Sequence, residues 1–227
     1  MSLQTIINNS NQLTINRRKM VGIQYTRNEI PRVSETPTTN PWRFTVSLPN
    51  NLRYGTARSV LEAVDRLDRV LPEIITFSNL PSLSWIFRYQ GTATLSQLNT
   101  ITVSSFVGNQ LTLTNLPVLP STAVLFEPND LIQIGTNPYP FTVSSQVVRG
   151  SSGTVTVTTG RPNILTNPVG GNSIIVGNAC QFRMFCPNMP TYKLIVGGTT
   201  YQGNVLTGNA LIEWSSDFEL YEYVGLA

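Results

Sequence analysis

Two close carboxylate pairs are the residues of this sequence whose spacing suggests catalysis. They are Glu127 with Asp130, and Glu213 with Asp217, and paired carboxylates can hydrolyse glycosidic bonds. Asp130, however, stands between the turn residues Pro128-Asn129 and an apolar run, where an aspartate commonly caps a turn before a strand. We interpret all four acids as surface or turn residues, and we predict no catalytic role for them.

Other catalytic and metal-binding residues are scarce. The chain contains no histidine, which removes the commonest general base and metal ligand. Cys180 and Cys186 fall on one predicted strand, so their Cα atoms would lie roughly 20 Å apart, too far for a disulfide. We predict two small buried residues rather than a zinc site, which suits folding in a reducing cytoplasm. The sequence therefore predicts no enzymatic activity, no cofactor and no metal.

The composition is typical of a β-rich protein with few charges. Charged residues make up 12% of the 227 residues, about half the usual share. Such a chain either keeps its surface soluble with hydroxyl and amide groups or buries much of that surface against copies of itself. The net charge of +3 is too small to indicate nucleic-acid recognition. We find no signal peptide and no stretch long enough to span a membrane.

The charges are distributed unevenly along the chain. Eleven of the basic residues lie before residue 90, whereas the end is acidic: Glu213, Asp217, Glu219 and Glu222. A basic front and an acidic end could attract each other between neighbouring subunits. The alternative is that both are solvated surfaces.

The elements that position these residues centre on residues 42–77. The period of two from Trp42 to Leu48 predicts a half-buried strand. An apolar stripe of period 3.6 then predicts a helix over 56–71, with Thr56 as N-cap and Pro72 as its stop. Ile74–Phe77 is predicted to be a second strand. This is the one helix that the pattern supports, and we expect it to cover a face or an edge of a sheet.

Residues on either side of this unit are predicted to form extended structure. Residues 1–20 are interpreted as an arm with a short strand at Gln12–Ile15, and Val21–Tyr25 as a strand. Residues 27–40, rich in proline and threonine, are predicted to be a long loop or an extended arm. The alternating Leu83, Trp85, Phe87 and Tyr89 predict a strand, with the rings in the core rather than forming a sugar-binding platform.

Residues 91–178 contain no predicted helix and several short β runs separated by turn signals. The runs are 101–103, 111–113, 130–134, 141–147, 155–158 and 174–176. Their spacing suggests a small barrel or sandwich of the OB or SH3-like kind. We predict an inserted domain over 91–178, within a discontinuous first domain made of 1–90 and 179–227.

The C-terminal part returns to stronger strand patterns. We predict strands over 180–186, 192–196, 211–214 and 218–224, with 42–48 and 83–89 as their best partners. Trp214, Tyr221 and Tyr223 are predicted to be core residues of the closing strands, and packing between subunits is the alternative.

Several of these segments together resemble tail proteins of tailed bacteriophages. The segments Pro41–Pro49, Ala57–Arg69 and Ile74–Phe77 are similar to the opening of tail-tube-like proteins, a group that includes tube, distal tail and baseplate hub subunits. Asn129–Gly135, Phe141–Val148 and Gly153–Thr158 resemble the small β domain inserted in some of them, and Ala210–Glu222 resembles their last strands. The likeness covers most of the chain from Pro41 onward.

The resemblance implies a mainly β fold, a tail-tube-like sandwich flanked by one α-helix, with the small barrel inserted. It implies six-fold rings around a channel through which DNA passes without sequence recognition. It also implies that 27–40 reaches the next ring and that the inserted domain meets other tail or baseplate proteins. The subunit-interface candidates are then Arg27, Arg32, Glu35, Trp42, Arg43, Trp214, Asp217 and Glu219.

The function predicted from this resemblance is structural. We expect a ring-forming virion component of the tail tube or baseplate, of the distal tail or tube-initiator type, which is assembled in the host cytoplasm and does not insert into membranes. It would connect the tube to peripheral tail components through edge-to-edge strand addition and exchange of arms. The alternative is a carbohydrate- or receptor-binding β module of the tail, which predicts an exposed aromatic cluster.

Overall fold

The computed structural model describes residues 2–17, 21–25, 31–35, 41–50, 52–67, 71–78, 84–195, 200–201, 204–205 and 210–224. The α-helices within these ranges are α1 (Ser2–Asn8), α2 (Tyr54–Asp65) and α3 (Leu95–Leu98), and 3₁₀ helices span Ser84–Phe87 and Gly177–Ala179. The strands are, in chain order, β1 (Gln12–Asn16), β2 (Val21–Tyr25), β3 (Pro31–Glu35), β4 (Arg43–Ser47), β5 (Leu52–Arg53), β6 (Glu73–Thr76), β7 (Thr102–Val107), β8 (Gln110–Thr114), β9 (Val124–Phe126), β10 (Leu131–Ile134), β11 (Phe141–Thr142), β12 (Val147–Val148), β13 (Val155–Thr158), β14 (Ile174–Val176), β15 (Gln181–Phe185), β16 (Tyr192–Ile195), β17 (Thr200–Tyr201), β18 (Asn204–Val205), β19 (Leu211–Trp214) and β20 (Phe218–Glu222). The fold is mainly β with several antiparallel sheets, as predicted.

The chain divides into two compact units. Unit 1 comprises Met1–Arg17, Pro41–Ile75 and Arg183–Tyr223, and unit 2 comprises Arg18–Asn40, Thr76–Phe182 and Val224–Ala227. The boundaries proposed from the sequence, 1–90 with 179–227 and 91–178, remain a prediction.

Unit 1 is built on a five-stranded sheet in the order β1-β4-β20-β15-β6 and a three-stranded sheet in the order β16-β19-β5. The alternation that predicted a strand at 42–48 is confirmed: Phe44 and Val46 are buried, and the residues between them are half-buried. β20 pairs with β4, with Leu220 opposite Phe44. The predicted pairing of the last strand with 42–48 is therefore confirmed.

The helix α2 buries the predicted stripe, including Val60, Leu61 and Val64. It begins two residues before Thr56 and ends at Asp65, so the predicted span 56–71 is wrong at both ends. The N-cap is Arg53, in extended conformation and without a side-chain capping bond, so the prediction that Thr56 caps the helix is also wrong. The N–H of Leu67 bonds to the carbonyl of Val64 at 3.2 Å, and this tight last turn ends the helix well before Pro72.

The helix α1 was missed by the sequence analysis, which placed an extended arm over 1–20. Leu3, Ile6 and Ile7 share one helical face and are fully buried, and α1 packs against α2. The strand predicted after it is confirmed as β1, which pairs with β4 along its whole length.

Unit 2 contains the two-stranded β2-β3 sheet and, around one apolar core, the small sheets β13-β8-β7, β11-β10-β14 and β12-β9. Isolated bridges join Thr102 to Ser173 and Val143 to Thr159. Five of the predicted β runs are confirmed, but 141–147 is two strands, β11 and β12, which pair with different partners. β9 was missed, and the prediction of no helix over 91–178 is wrong because Thr94 and Gln97 form a capping box that starts α3.

The strand predicted from the alternation of Leu83, Trp85, Phe87 and Tyr89 is wrong. Residues 84–87 form a 3₁₀ helix instead of a strand. Phe87 is buried there against Phe77 and Phe182, with ring centroids 5.2 and 5.6 Å away, while Trp85 is 70% exposed. Of the segment 27–40, predicted as a long loop or an extended arm, the structure describes β3. This strand pairs with β2, with Pro31 opposite Tyr25 and Glu35 opposite Val21.

Candidate functional site

The first carboxylate pair is a structural element of unit 2. Asp130 is only 1% exposed, and its two carboxylate oxygens accept the backbone N–H groups of Glu127 at 2.8 Å and Gln90 at 2.9 Å. Burial raises the pKa of this carboxyl, although the two hydrogen bonds oppose the shift. The predicted turn role of Asp130 is confirmed, because its side chain accepts a hydrogen bond from Glu127 within the turn that precedes β10.

The second carboxylate pair is exposed. Glu213 and Asp217 both lie on the surface of unit 1.

Among the described residues, no group of three or more histidine, cysteine or acidic side chains is placed to hold a metal ion. None of the helices in the described ranges has the length and apolar content needed to cross a bilayer.

The best-developed surface of unit 1 is the side of the five-stranded sheet opposite the core. We call it the open face and define it by Arg43, Arg183, Phe185, Glu219, Tyr221 and Tyr223. In β4, β15 and β20 alternate side chains point into the core, which leaves the intervening ones on this face. The strand registers then bring residues from distant parts of the chain into rows.

One row crosses four strands. Asn16 lies opposite Arg43, Arg43 opposite Tyr221, and Tyr221 opposite Phe185. The guanidinium carbon of Arg43 is 5.5 Å from the centre of the Tyr221 ring, and the rings of Tyr221 and Phe185 are 6.1 Å apart. These distances are those of cation–π and aromatic pairs.

The same cluster continues at the end of β20. Phe185 meets the ring of Tyr223 edge-on at 5.9 Å, and the guanidinium of Arg183 is 5.0 Å from that ring. The hydroxyl of Tyr221 donates to the Glu219 carboxylate at 2.9 Å, and this hydrogen bond is the main reason that the pKa of Tyr221 is raised. The open face therefore combines three aromatic rings with two guanidinium groups, the residue types enriched in the centres of protein interfaces.

The edges of this sheet are the second candidate surface. β1 and β6 are its outermost strands within the described residues. β1 reads QLTIN and exposes Gln12, Thr14 and Asn16. It holds no charge, no proline and no bulge, the devices that usually prevent an edge strand from pairing with another chain. On β6, Ile74 is 45% exposed.

No protein-family model matches this chain, and no curated protein shows significant similarity to it. The functional assignment therefore depends on the residues and geometry of the chain itself.

The interface candidates named from the sequence lie in different environments. Arg43 and Glu219 belong to the open face, and Asp217 is exposed. Trp42 and Trp214 are core residues of unit 1, only 2% and 9% exposed. Arg32 and Glu35 lie on β3, opposite Gln24 and Val21, and only their backbone is described. Arg27 lies outside the described residues.

Sequence reasoning missed the aromatic row of the open face. Within the predicted strand 180–186, the side chains of Gln181, Arg183 and Phe185 alternate with buried ones and so share the outer face. The register that brings Phe185 beside Tyr221 is set by pairing between segments far apart in the chain, so periodicity within one strand does not reveal it.

Proposed function

We propose that this protein is a non-enzymatic, ring-forming structural subunit of the tail tube or baseplate of a tailed bacteriophage. Unit 1 would be the tail-tube-like sandwich, with α2 packed on β5 and β19 of the smaller sheet. Copies would join by strand addition at the sheet edges, and the assembled ring would connect the tube to other tail proteins and let DNA pass. The protein would be a virion component assembled in the host cytoplasm.

The observation that carries this proposal is the edge strand β1, which has one neighbouring strand among the described residues. Its five residues form a complete ladder with β4 on one side, and it lacks the charges, prolines and bulges that discourage pairing on the other. An edge of this kind is suited to edge-to-edge addition between identical subunits, which in a closed ring leaves no edge unpaired. Leu71 and Ile74 give the β6 region exposed apolar side chains as well.

Two further features support the same proposal. The open face offers arginine and aromatic side chains in a chain that has few charges elsewhere, as expected for a surface that becomes covered. In unit 2, the bridges Thr102–Ser173 and Val143–Thr159 link the β13-β8-β7 and β11-β10-β14 sheets at both ends. This six-strand circuit favours the proposed small barrel.

The test is the mass of the full-length protein in solution, measured by light scattering over a range of concentrations and salt. We expect a particle of six subunits, or a mass that climbs toward it with concentration. The double variant Gln12→Lys/Thr14→Lys, which places two charges on the β1 edge, should remain monomeric because lysine on an edge strand discourages pairing with another chain. A matched control, Ser121→Lys/Ser151→Lys, adds the same charge at exposed positions of unit 2 and should assemble like the wild type.

Circular dichroism and thermal melts of each variant confirm folding before the masses are compared. A wild-type protein that stays monomeric at high concentration, and still does so when neighbouring tail proteins are added, contradicts the proposal. So does an edge variant that assembles as well as the control.

A further inference from the structure

A depression on unit 2 has features of a ligand site that the ring proposal does not use. Its volume is about 590 Å³, within the range of sites for small molecules. Its walls come from the 3₁₀ helix Ser84–Phe87 and the residues after it, from the start of α3, and from the region around the second 3₁₀ helix. We call it the Trp85 depression, and its lining includes Trp85, Arg88, Leu95 and Asn178.

One wall of the depression includes Tyr89, whose hydroxyl forms two hydrogen bonds. The Tyr89 hydroxyl donates to the carbonyl of Leu125 at 2.5 Å and accepts the N–H of Ala93 at 3.3 Å. Burial raises the pKa of Tyr89 to about 12, so the hydroxyl stays protonated at neutral pH. Gly177 has φ +75°, and a Cβ there would lie 3.0 Å from the Tyr89 backbone nitrogen. The close approach of these two segments thus requires glycine.

Three side chains in this lining differ in chemistry: an indole, a guanidinium and a primary amide. Trp85 is 70% exposed, whereas Trp42 and Trp214 are 2% and 9% exposed. Within the described part of the chain, the Arg88 guanidinium forms no ion pair or hydrogen bond, and the half-buried side-chain amide of Asn178 forms no hydrogen bond. An indole face, an amide and a guanidinium therefore line one concavity.

We propose that the Trp85 depression binds a saccharide that carries a carboxylate, such as a uronic acid. The apolar C–H face of a pyranose ring packs on an exposed indole, the amide both donates to and accepts from hydroxyl groups, and a guanidinium binds a carboxylate through two parallel hydrogen bonds. Among the described residues of the lining, Arg88 is the one that carries a formal charge, which favours an anionic sugar over a neutral one.

A protein partner is the less suitable occupant. Stable protein interfaces bury on the order of 800 Å² on each partner around a desolvated apolar centre. Here the surface is concave and small, and Arg88 and Asn178 line it together with Trp85. The proposal concerns unit 2 alone, so the success or failure of ring formation does not bear on it.

The test is titration of the full-length protein with tetrasaccharides of galacturonate, of mannuronate and of hyaluronan, followed by tryptophan fluorescence and calorimetry. Because Trp85 is the one exposed tryptophan among the three, occupancy should shift emission to the blue and protect the protein from quenching by acrylamide. We expect at least one acidic tetrasaccharide to bind. Methyl-esterified tetragalacturonate, with the same rings but no charge, should bind at least about tenfold more weakly than its acid form if galacturonate binds.

Two variants locate the site. Trp85→Ala and Arg88→Gln should each weaken binding by about tenfold or more, while Lys193→Gln and Val118→Ala, at exposed positions outside the depression, should leave it unchanged. Binding that survives Trp85→Ala overturns the proposal, as does a failure of all three acidic tetrasaccharides to bind. A Trp85→Ala variant that changes only the mass of the particle assigns this surface to protein contacts instead.

Discussion

The backbone N–H of Trp42 donates to the carboxylate of Glu222 at 2.9 Å, and the backbone N–H of Glu222 donates to the carbonyl of Trp42 at the same distance. Glu222 is only 5% exposed. These two residues are 180 positions apart, and their hydrogen bonds join the start of β4 to the end of β20. This buried contact helps to hold the neighbouring strands β4 and β20 of the five-stranded sheet in register.

Replacing Glu222 should measure that contact. In Glu222→Ala the N–H of Trp42 loses a buried acceptor, so we expect the free energy of unfolding to fall by about 1–3 kcal/mol. Glu222→Gln keeps an acceptor oxygen and should lose less. Urea denaturation of both variants checks this, with the exposed Glu213→Ala as control. Equal losses in the alanine and glutamine variants would show that the hydrogen bond to Trp42 is not the cause.

Asp130 gives a second prediction, since its carboxylate serves two donors. Asparagine has one acceptor oxygen, so in Asp130→Asn either the Gln90 or the Glu127 N–H faces an amide group instead. We expect a loss of about 1–3 kcal/mol in the free energy of unfolding, measured by urea denaturation at neutral pH. The exposed Asp217→Asn should change it little, and a similar loss there would contradict the assignment.

The pH dependence of Asp130 follows from the direction of its shift. Burial raises the pKa of this carboxyl in the folded state, so the folded protein takes up a proton at a higher pH than the unfolded chain. Its contribution to stability therefore increases as pH falls from the raised pKa toward the unfolded value near 4. The stability difference between wild type and Asp130→Asn should be larger near pH 4 than at pH 7. A stability difference that shrinks on acidification would contradict a raised pKa of Asp130 in the folded protein.

The sequence predicted those helices and strands that bury one regular face in the core. β4, β15 and the stripe of α2 were recognisable because the pattern of buried side chains repeats along a single segment. The strand predicted at residues 84–87 was wrong because its structure depends on contacts with distant residues. Four alternating apolar residues fit a strand, but the packing of Phe87 against Phe77 and Phe182 favours a 3₁₀ turn that leaves Trp85 outside. Tertiary contacts decided the structure there.

The candidate sites were less predictable than the fold. Arg43 and Glu219 were named as interface candidates from the resemblance, while the pairing of Arg43 with Tyr221 follows from strand register. The Trp85 depression depends on Gly177 and Arg88, which come from segments about ninety residues apart. The α1 helix was within reach of sequence analysis, since the spacing of Leu3, Ile6 and Ile7 is helical, but the surrounding asparagines suggested an arm.

The two cysteines provide a test of the unit 1 and unit 2 cores. Both are buried free thiols, and the thiols of Cys180 and Cys186 donate to the carbonyls of Ile175 and Asn188 at 3.4 and 3.3 Å. Burial also raises the pKa of the Cys180 thiol, which lowers its reactivity. We expect a disulfide reagent such as DTNB to react slowly with the folded protein and to detect two thiols at once in denaturant. Fewer than two thiols without added reductant would indicate a disulfide.

Gly177 and Gly150 allow backbone strain to be separated from close packing. Both have positive φ, +75° and +60°, but a Cβ at Gly150 meets nothing within 4 Å, whereas one at Gly177 lies 3.0 Å from the Tyr89 nitrogen and 3.2 Å from the Phe87 carbonyl oxygen. Gly150→Ala should cost about 1–2 kcal/mol from conformation alone. Gly177→Ala should cost clearly more, because backbone atoms of residues 87–89 must also move. Urea denaturation measures the loss in the free energy of unfolding for both variants. Equal losses would mean that the backbone at residues 87–89 moves to accommodate the added methyl group at no extra cost.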